Sequence, residues 1–142
     1  MILRKSFFVF FMSLLIAAAG NAFAAKKMKF IVTSPDAQTQ MMAMVLSMQS
    51  LNQGAEVEIV LCGPAGDLAI KGSEETVFLP PKKSPQMLLK GLIKKGVKVE
   101  ICPLYLPSKG LTKDALIQGV LQAKPPIVAG EMVKETTEVV TF

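Results

Sequence analysis

The side chains in this sequence that are best suited to nucleophilic chemistry are two cysteines. The 142-residue chain contains Cys62 and Cys102 but no histidine. Without histidine, Ser-His and Cys-His nucleophile pairs cannot form, and zinc sites with histidine ligands are excluded. A thiolate needs no histidine to attack another sulfur, because thiol exchange depends on an ionised and accessible thiol. We therefore expect the chemistry of this chain to be carried by these two cysteines.

Both cysteines directly follow short apolar segments that are typical of buried strands. Residues 57–61 precede Cys62, and residues 97–101 precede Cys102. Since the loops that follow parallel strands gather at one edge of the sheet, the two thiols are expected at a common site. The binding residues expected at the same edge are Thr33, Ser34 and Asp36 after the first strand, Gly63 after Cys62, and Lys109, a cation that would favour the thiolate.

Three other interpretations of the cysteines are open from the sequence. Each could be a small buried apolar residue without reactivity. The pair could form a structural disulfide, because exported proteins meet an oxidising compartment. Cysteine sulfur could also join methionine sulfur in a copper(I) site, but the methionines fit the core face of a helix, so we expect no metal ion and no cofactor; they are Met41, Met42, Met44 and Met48.

Predicted strands alternate with predicted helices along the chain. The strands are expected at residues 29–33, 57–61, 97–101, 127–128 and 138–142. The helices are expected at 37–52 after Asp36, from Ser84 and Pro85 to Gly96, and from Thr112 to about Leu121. Such alternation indicates an α/β fold, specifically a three-layer α/β/α domain with a mostly parallel five-stranded sheet. The strand order does not follow from the sequence.

The N-terminus has the pattern of a secretory signal peptide. Arg4 and Lys5 precede an apolar run at residues 7–19, and small residues at 22 and 24 suggest cleavage after Ala24. The run is shorter than the ~20 residues of a spanning helix, so we expect no stable membrane anchor, although an uncleaved anchor stays open. The prediction is a signal peptide at 1–24 and one domain at 25–142, located in the periplasm.

The charge of the expected mature chain argues against nucleic-acid binding. Loss of the two basic residues of the signal lowers the formal charge from +5 to about +3. The remaining lysines are scattered, and the segment after Ala24 has no arginine and one tyrosine. Nucleic-acid binding would require a denser basic face with guanidinium groups and aromatic stacking platforms.

The segment around the second cysteine resembles the DsrE/DsrF-like (DsrE/TusD-type) sulfur-transfer family. Residues 96–102, a Gly-Val turn and a strand ending in Cys102, are followed by Lys109 and Gly110 at a similar spacing to that family. The first strand with its Thr-Ser-Pro turn and the last strand are also similar. The chain departs from the best-known members in its export signal and in Pro103, which directly follows the cysteine.

The resemblance implies a sulfur carrier in which Cys102 holds sulfane sulfur as a persulfide. Its partners would be a sulfur donor or acceptor protein and further copies of itself, in a trimer or hexamer. Cys62, which the family motif does not explain, could resolve a persulfide or a sulfenic acid on Cys102 into a disulfide. Our hypothesis is therefore an exported sulfur-handling protein, a carrier rather than a turnover enzyme. The alternative is a non-catalytic periplasmic binding or assembly module with structural cysteines.

Overall fold

The computed structural model describes residues 25–142, so the signal peptide predicted at 1–24 lies outside the described residues. The strands are β1 (Lys27–Val32), β2 (Glu56–Leu61), β3 (Lys98–Ile101), β4 (Val120–Gln122) and β5 (Thr137–Thr141). The helices are α1 (Ala37–Asn52), α2 (Pro85–Lys94), α3 (Tyr105–Ser108) and α4 (Pro125–Met132), with 3-10 segments at Gly63–Ala69 and Lys113–Ala115. No helix in this part of the chain has the length and apolarity needed to cross a membrane.

The five strands form one parallel sheet in the order β4-β3-β2-β1-β5. Helices α1 and α2 pack against each other on one face of the sheet, as the right-handed crossover rule for neighbouring parallel strands predicts. The connection from β4 to β5 returns across the sheet, and α4 on the opposite face contacts β1 through Glu131 and Lys27. The predicted three-layer α/β/α fold with a five-stranded sheet is confirmed.

The face under α1 and α2 holds the apolar core. Alternate residues of the three central strands point to this face, as the two-residue period of a strand requires. The side chains that meet there are fully buried; they include Val32, Ile59, Leu61, Val99 and Ile101 from the strands and Met44, Leu89 and Leu92 from the helices. This core fixes the three strands whose carboxyl ends carry the predicted site residues.

The opposite face of the sheet carries buried charges. Lys29 is fully buried, and its Nζ donates to Glu58 Oε2 at 2.6 Å. Lys27 Nζ lies 2.8 Å from the other oxygen of the same carboxylate. Burial alone would raise the pKa of Glu58, but the hydrogen bonds from Lys27 and Lys29 lower it below its usual value. The carboxylate therefore stays ionised between its two lysines.

The first two predicted helices are confirmed together with their N-terminal caps. Asp36 accepts a hydrogen bond from the Thr39 amide at 2.7 Å at the start of α1. Ser84 accepts one from the Met87 amide at 3.1 Å at the start of α2. Each cap supplies a partner to an amide that has none within its helix.

The helix predicted from Thr112 to about Leu121 is wrong. The segment forms only a 3-10 turn and then β4, because its backbone bonds to another part of the chain. The Ile117 amide donates to the Ala69 carbonyl at 2.8 Å, and the Lys71 amide donates to the Ala115 carbonyl at 2.9 Å. Gly119 then adopts a φ of +95°, which no helix contains. Tertiary pairing thus outweighs the local helical pattern.

The strand predicted at residues 127–128 is also wrong, since these residues lie within α4. The two prolines before them occupy the first turn of that helix. Proline is favoured at this position because the amides of the first turn have no helical partner. An apolar pair is too short to distinguish a strand from a helix. The fourth strand is instead β4, which pairs with β3.

Substitution of Gly119 by alanine is expected to destabilise the fold. The φ of +95° disfavours any side chain, and a Cβ would lie 2.4 Å from Ile93 Cγ2. We expect Gly119→Ala to lower the free energy of unfolding by about 2 kcal/mol or more, as measured by urea denaturation.

Gly130→Ala is the matched control, because Gly130 lies in α4 and a Cβ there would meet no atom within 4 Å. That change should raise the free energy of unfolding by up to about 1 kcal/mol. Equal effects of the two substitutions would contradict the assigned role of Gly119.

Candidate functional site

The two cysteines occupy neighbouring positions at the carboxyl edge of the sheet. The last residues of β2 and β3, Leu61 and Ile101, are paired in register, so Cys62 and Cys102 form the next pair. The Cys102 amide donates to the Leu61 carbonyl at 2.8 Å, and the Cys62 amide donates to the Val32 carbonyl at 2.9 Å. Both residues thus continue the ladder of the sheet beyond its last full pairs. The sequence predicted a common location for the two thiols, and the structure places both cysteines at the same edge of the sheet.

Both thiols are free and partly exposed. Burial raises the pKa of the Cys62 thiol to about 11, and the charge and hydrogen bonding of Cys102 add to the increase. A negative charge on Cys102 therefore disfavours a second one on Cys62. The pair is suited to hold one thiolate and one protonated thiol.

A cavity of about 380 Å³ opens beside Cys102. Gly63 and Lys109, both predicted as site residues, line it together with Cys102, whereas Cys62 is not among the lining residues. Leu104, which is 74% exposed, lies at its rim. A molecule that enters this cavity therefore contacts Cys102 and not Cys62.

Lys109 is held in the cavity by two residues that the sequence analysis missed. Its Nζ lies 3.7 Å from Asp67 Oδ1 and 5.7 Å from the centre of the Tyr105 ring. The Tyr105 hydroxyl donates a hydrogen bond to the same Asp67 oxygen. Burial and the Asp67 carboxylate raise the pKa of Tyr105, which keeps the phenol protonated. The Lys109 charge is thus partly balanced by Asp67 while remaining in the cavity.

A signal for these two residues was present in the sequence. Asp67 follows Cys62 within a turn-rich loop, and Tyr105 is the only tyrosine and follows Cys102 by three positions. The backbone of Gly66 packs closely against the Tyr105 ring. A Cβ at that position would lie 2.3 Å from ring carbons. The contact between these loops is tertiary, and the local sequence pattern does not determine it.

The polar residues after β1 lie at the same edge but support the backbone. Thr33 Oγ1 donates to the Phe142 carbonyl at 2.9 Å. Ser34 Oγ accepts from the Asp36 amide at 3.1 Å, and Asp36 caps α1, where the Thr39 amide lowers its pKa. These three residues do not line the cavity of Cys102. Their role in binding stays a prediction.

A second cavity of about 340 Å³ is separate from the thiols. It lies between the start of α1 and the loop before α2, and its lining includes Asp67, Glu74 and Glu75. Neither cysteine lines it, and its acidic side chains do not suit an anionic sulfur compound. We therefore take the cavity beside Cys102 as the candidate site.

The donor set of the described residues does not favour a metal site. Residues 25–142 contain no group of three or more cysteine and carboxylate side chains that could hold an ion. The methionines considered for a copper(I) site are spread around α1. Met44 is fully buried in the core, whereas Met42 is 53% exposed.

Comparison with solved structures identifies the class of fold. The ychN protein from E. coli is 17% identical with a TM-score of 0.69, and the match covers 83% of this chain and 99% of that one. A protein of unknown function from Methanobacterium thermoautotrophicum is 15% identical with a TM-score of 0.62, covering 82% and 98%. Another, from Bacteroides thetaiotaomicron, is 16% identical with a TM-score of 0.61, covering 82% and 95%.

This chain has the DsrE-like α/β fold. At these identities the similarity concerns the fold alone. No protein-family model and no curated protein matches the sequence. The resemblance noted in the sequence is therefore confirmed for the fold, while family membership and sulfur transfer stay predictions.

The raised pKa of Cys62 is testable by alkylation. Because the thiolate is the species that reacts with iodoacetamide, the initial rate of Cys62 modification should rise with pH to a midpoint near 11. In Cys102→Ser the midpoint should move down towards the ordinary value of 9.0 without reaching it, because burial remains. Site-resolved mass spectrometry measures the rate, and circular dichroism verifies folding at each pH. An unchanged midpoint in the variant would mean that Cys102 does not act on Cys62.

Proposed function

We propose that this protein is an exported sulfur carrier that holds sulfane sulfur on Cys102 as a persulfide. The observation that carries the proposal is the free, partly exposed Cys102 thiol in a cavity that also contains the Lys109 ammonium group. The DsrE-like fold supports the proposal, because the sulfur-transfer family that the sequence resembles has the same fold. Cys62 is an accessory thiol in this proposal.

Uptake of sulfur requires only thiol exchange. The Cys102 thiolate attacks the outer sulfur of a donor persulfide or polysulfide, a new sulfur–sulfur bond forms, and the shortened donor leaves as an anion. The outer sulfur on Cys102 then extends into the cavity. An acceptor thiolate attacks this outer sulfur, and Cys102 leaves as a thiolate. No net oxidation takes place in either step, and no histidine is needed.

Lys109 and the rim of the cavity assist these steps in different ways. The donor, the persulfide and the leaving group are all anionic, so the Lys109 ammonium favours their approach. Leu104 offers an exposed apolar contact beside the thiol. A protein partner that covers Leu104 would exclude water from the cavity and bring its own cysteine close to Cys102.

We also propose that the chain is exported with cleavage after Ala24 and assembles into a homo-oligomer, a trimer or hexamer. The full sequence produced in a bacterial host should then give a periplasmic protein that begins at Ala25. Native mass spectrometry of that fraction reads both the start of the chain and the number of copies. A protein retained in the cytoplasm, or a chain that is monomeric at all concentrations, would contradict the corresponding part of this proposal.

The sulfur-carrier proposal predicts a specific gain of mass. Reduced protein that is treated briefly with inorganic polysulfide and desalted should gain the mass of sulfur, as read by intact mass spectrometry. Cys102→Ser should lose most of this gain, on the order of tenfold or more, because the first acceptor has been removed. Equal uptake by the variant would exclude Cys102 as the carrier. No uptake by the unsubstituted chain would favour a binding or assembly module instead.

A further inference from the structure

The backbone places the two cysteines at a separation that a disulfide can span. They are the first pair beyond the paired residues Leu61 and Ile101 of two neighbouring parallel strands. Adjacent strands lie about 4.8 Å apart, whereas disulfides join Cα atoms about 4.4–6.8 Å apart. Gly63, which follows Cys62 with a φ of +53°, begins a loop that lies outside the ladder. The chain thus leaves the sheet directly after Cys62.

The surroundings of the two thiols differ in a way that assigns them different roles. Cys102 lines the cavity, whereas Cys62 does not. The cavity offers space for an outer sulfur on Cys102, and this space is not lined by Cys62. Thiol exchange proceeds when the attacking sulfur lies opposite the leaving sulfur. Cys62 is thus located to attack the inner sulfur of the persulfide, which is the Sγ atom of Cys102.

We propose that Cys62 is a resolving thiol that closes onto Cys102 and expels the carried sulfur as hydrosulfide. The inference rests on the proposed function, because it requires a persulfide at Cys102. It adds a limit on how long the sulfur is held. It also adds a disulfide state of the protein that cannot accept sulfur until a dithiol reductant restores it.

The reaction balances without a further reactant. The Cys62 thiol passes its proton to the outer sulfur of the anionic persulfide, and the resulting Cys62 thiolate attacks Cys102 Sγ. A bond forms between the two cysteine sulfurs, the bond to the outer sulfur breaks, and hydrosulfide leaves with the electron pair. The outer sulfur gains two electrons, and the two cysteines lose two electrons together. Restoring the dithiol consumes two electrons from an external dithiol.

The test follows the sulfur with time in the full chain. Reduced protein is loaded briefly with inorganic polysulfide, desalted, and sampled by intact mass spectrometry and a hydrosulfide assay. The unsubstituted chain should lose the added sulfur, release an equal amount of hydrosulfide, and end two hydrogen masses below the reduced protein. Cys62→Ser and Cys62→Ala should retain the added sulfur on the order of tenfold longer or more. Two variants are used so that one folding defect does not decide the result.

The controls separate this inference from the carrier proposal. If the Cys62 variants take up sulfur and lose it as fast as the unsubstituted chain, the resolving role is overturned and the carrier remains. If no chain takes up sulfur, the carrier proposal fails and the resolving step fails with it. A third measurement oxidises the reduced chain with diamide. An internal Cys62–Cys102 disulfide is expected, and its absence under conditions that oxidise exposed thiols would overturn the inference by itself.

Discussion

The parallel pairing of β1, β2 and β3 is the constraint on which the rest of the site depends. Its hydrogen bonds continue past the ends of the strands, through the amides of Cys62 and Cys102. Because these bonds are part of the ladder, the relative position of the two cysteines is set by the sheet rather than by flexible loops. The fully buried side chains of Ile59, Leu61 and Val99 hold the strands against the helices. The packed core therefore fixes the positions of the two cysteines relative to each other.

Buried charges on the opposite face favour the same register. In β1, lysines at positions 27 and 29 alternate with Met28 and Phe30, and Glu58 of β2 accepts from both lysines. A slip of one residue would exchange the two faces and place the lysines against the apolar core. An unpaired buried charge costs several kcal/mol, on the order of 3–5. The network thus disfavours wrong registers between β1 and β2.

The sequence was sufficient where local chemistry decides the structure. The first three strands and the capped helices α1 and α2 follow from apolar runs and from Asp36 and Ser84, whose side chains bond amides three residues away. The shared edge of the two cysteines followed from the carboxyl ends of parallel strands. Their direct pairing required the strand order, which depends on contacts between distant segments.

The failures lie where distant parts of the chain decide the structure. Residues 112–121 turn away from a helix because Ile117 pairs with Ala69. The role of Asp67 depends on Tyr105, which is 38 residues further along the chain. Lys29 and Glu58 form a buried ion pair between two neighbouring strands, and neither strand alone indicates that pairing. None of these pairs is recognisable from one segment alone.

The different surroundings of the two thiols bear on how a carried sulfur would be divided between transfer and release. Burial and the neighbouring Cys102 raise the pKa of Cys62, so only a small fraction of this thiol is ionised at neutral pH. In the proposed resolving step, closure onto Cys102 would therefore be slow, although the two residues are adjacent. An acceptor thiolate that enters the cavity would not carry this penalty, so the proposed transfer would precede closure when an acceptor is bound. Without an acceptor, the proposed disulfide would form, and the occupancy of the cavity would decide between the two outcomes.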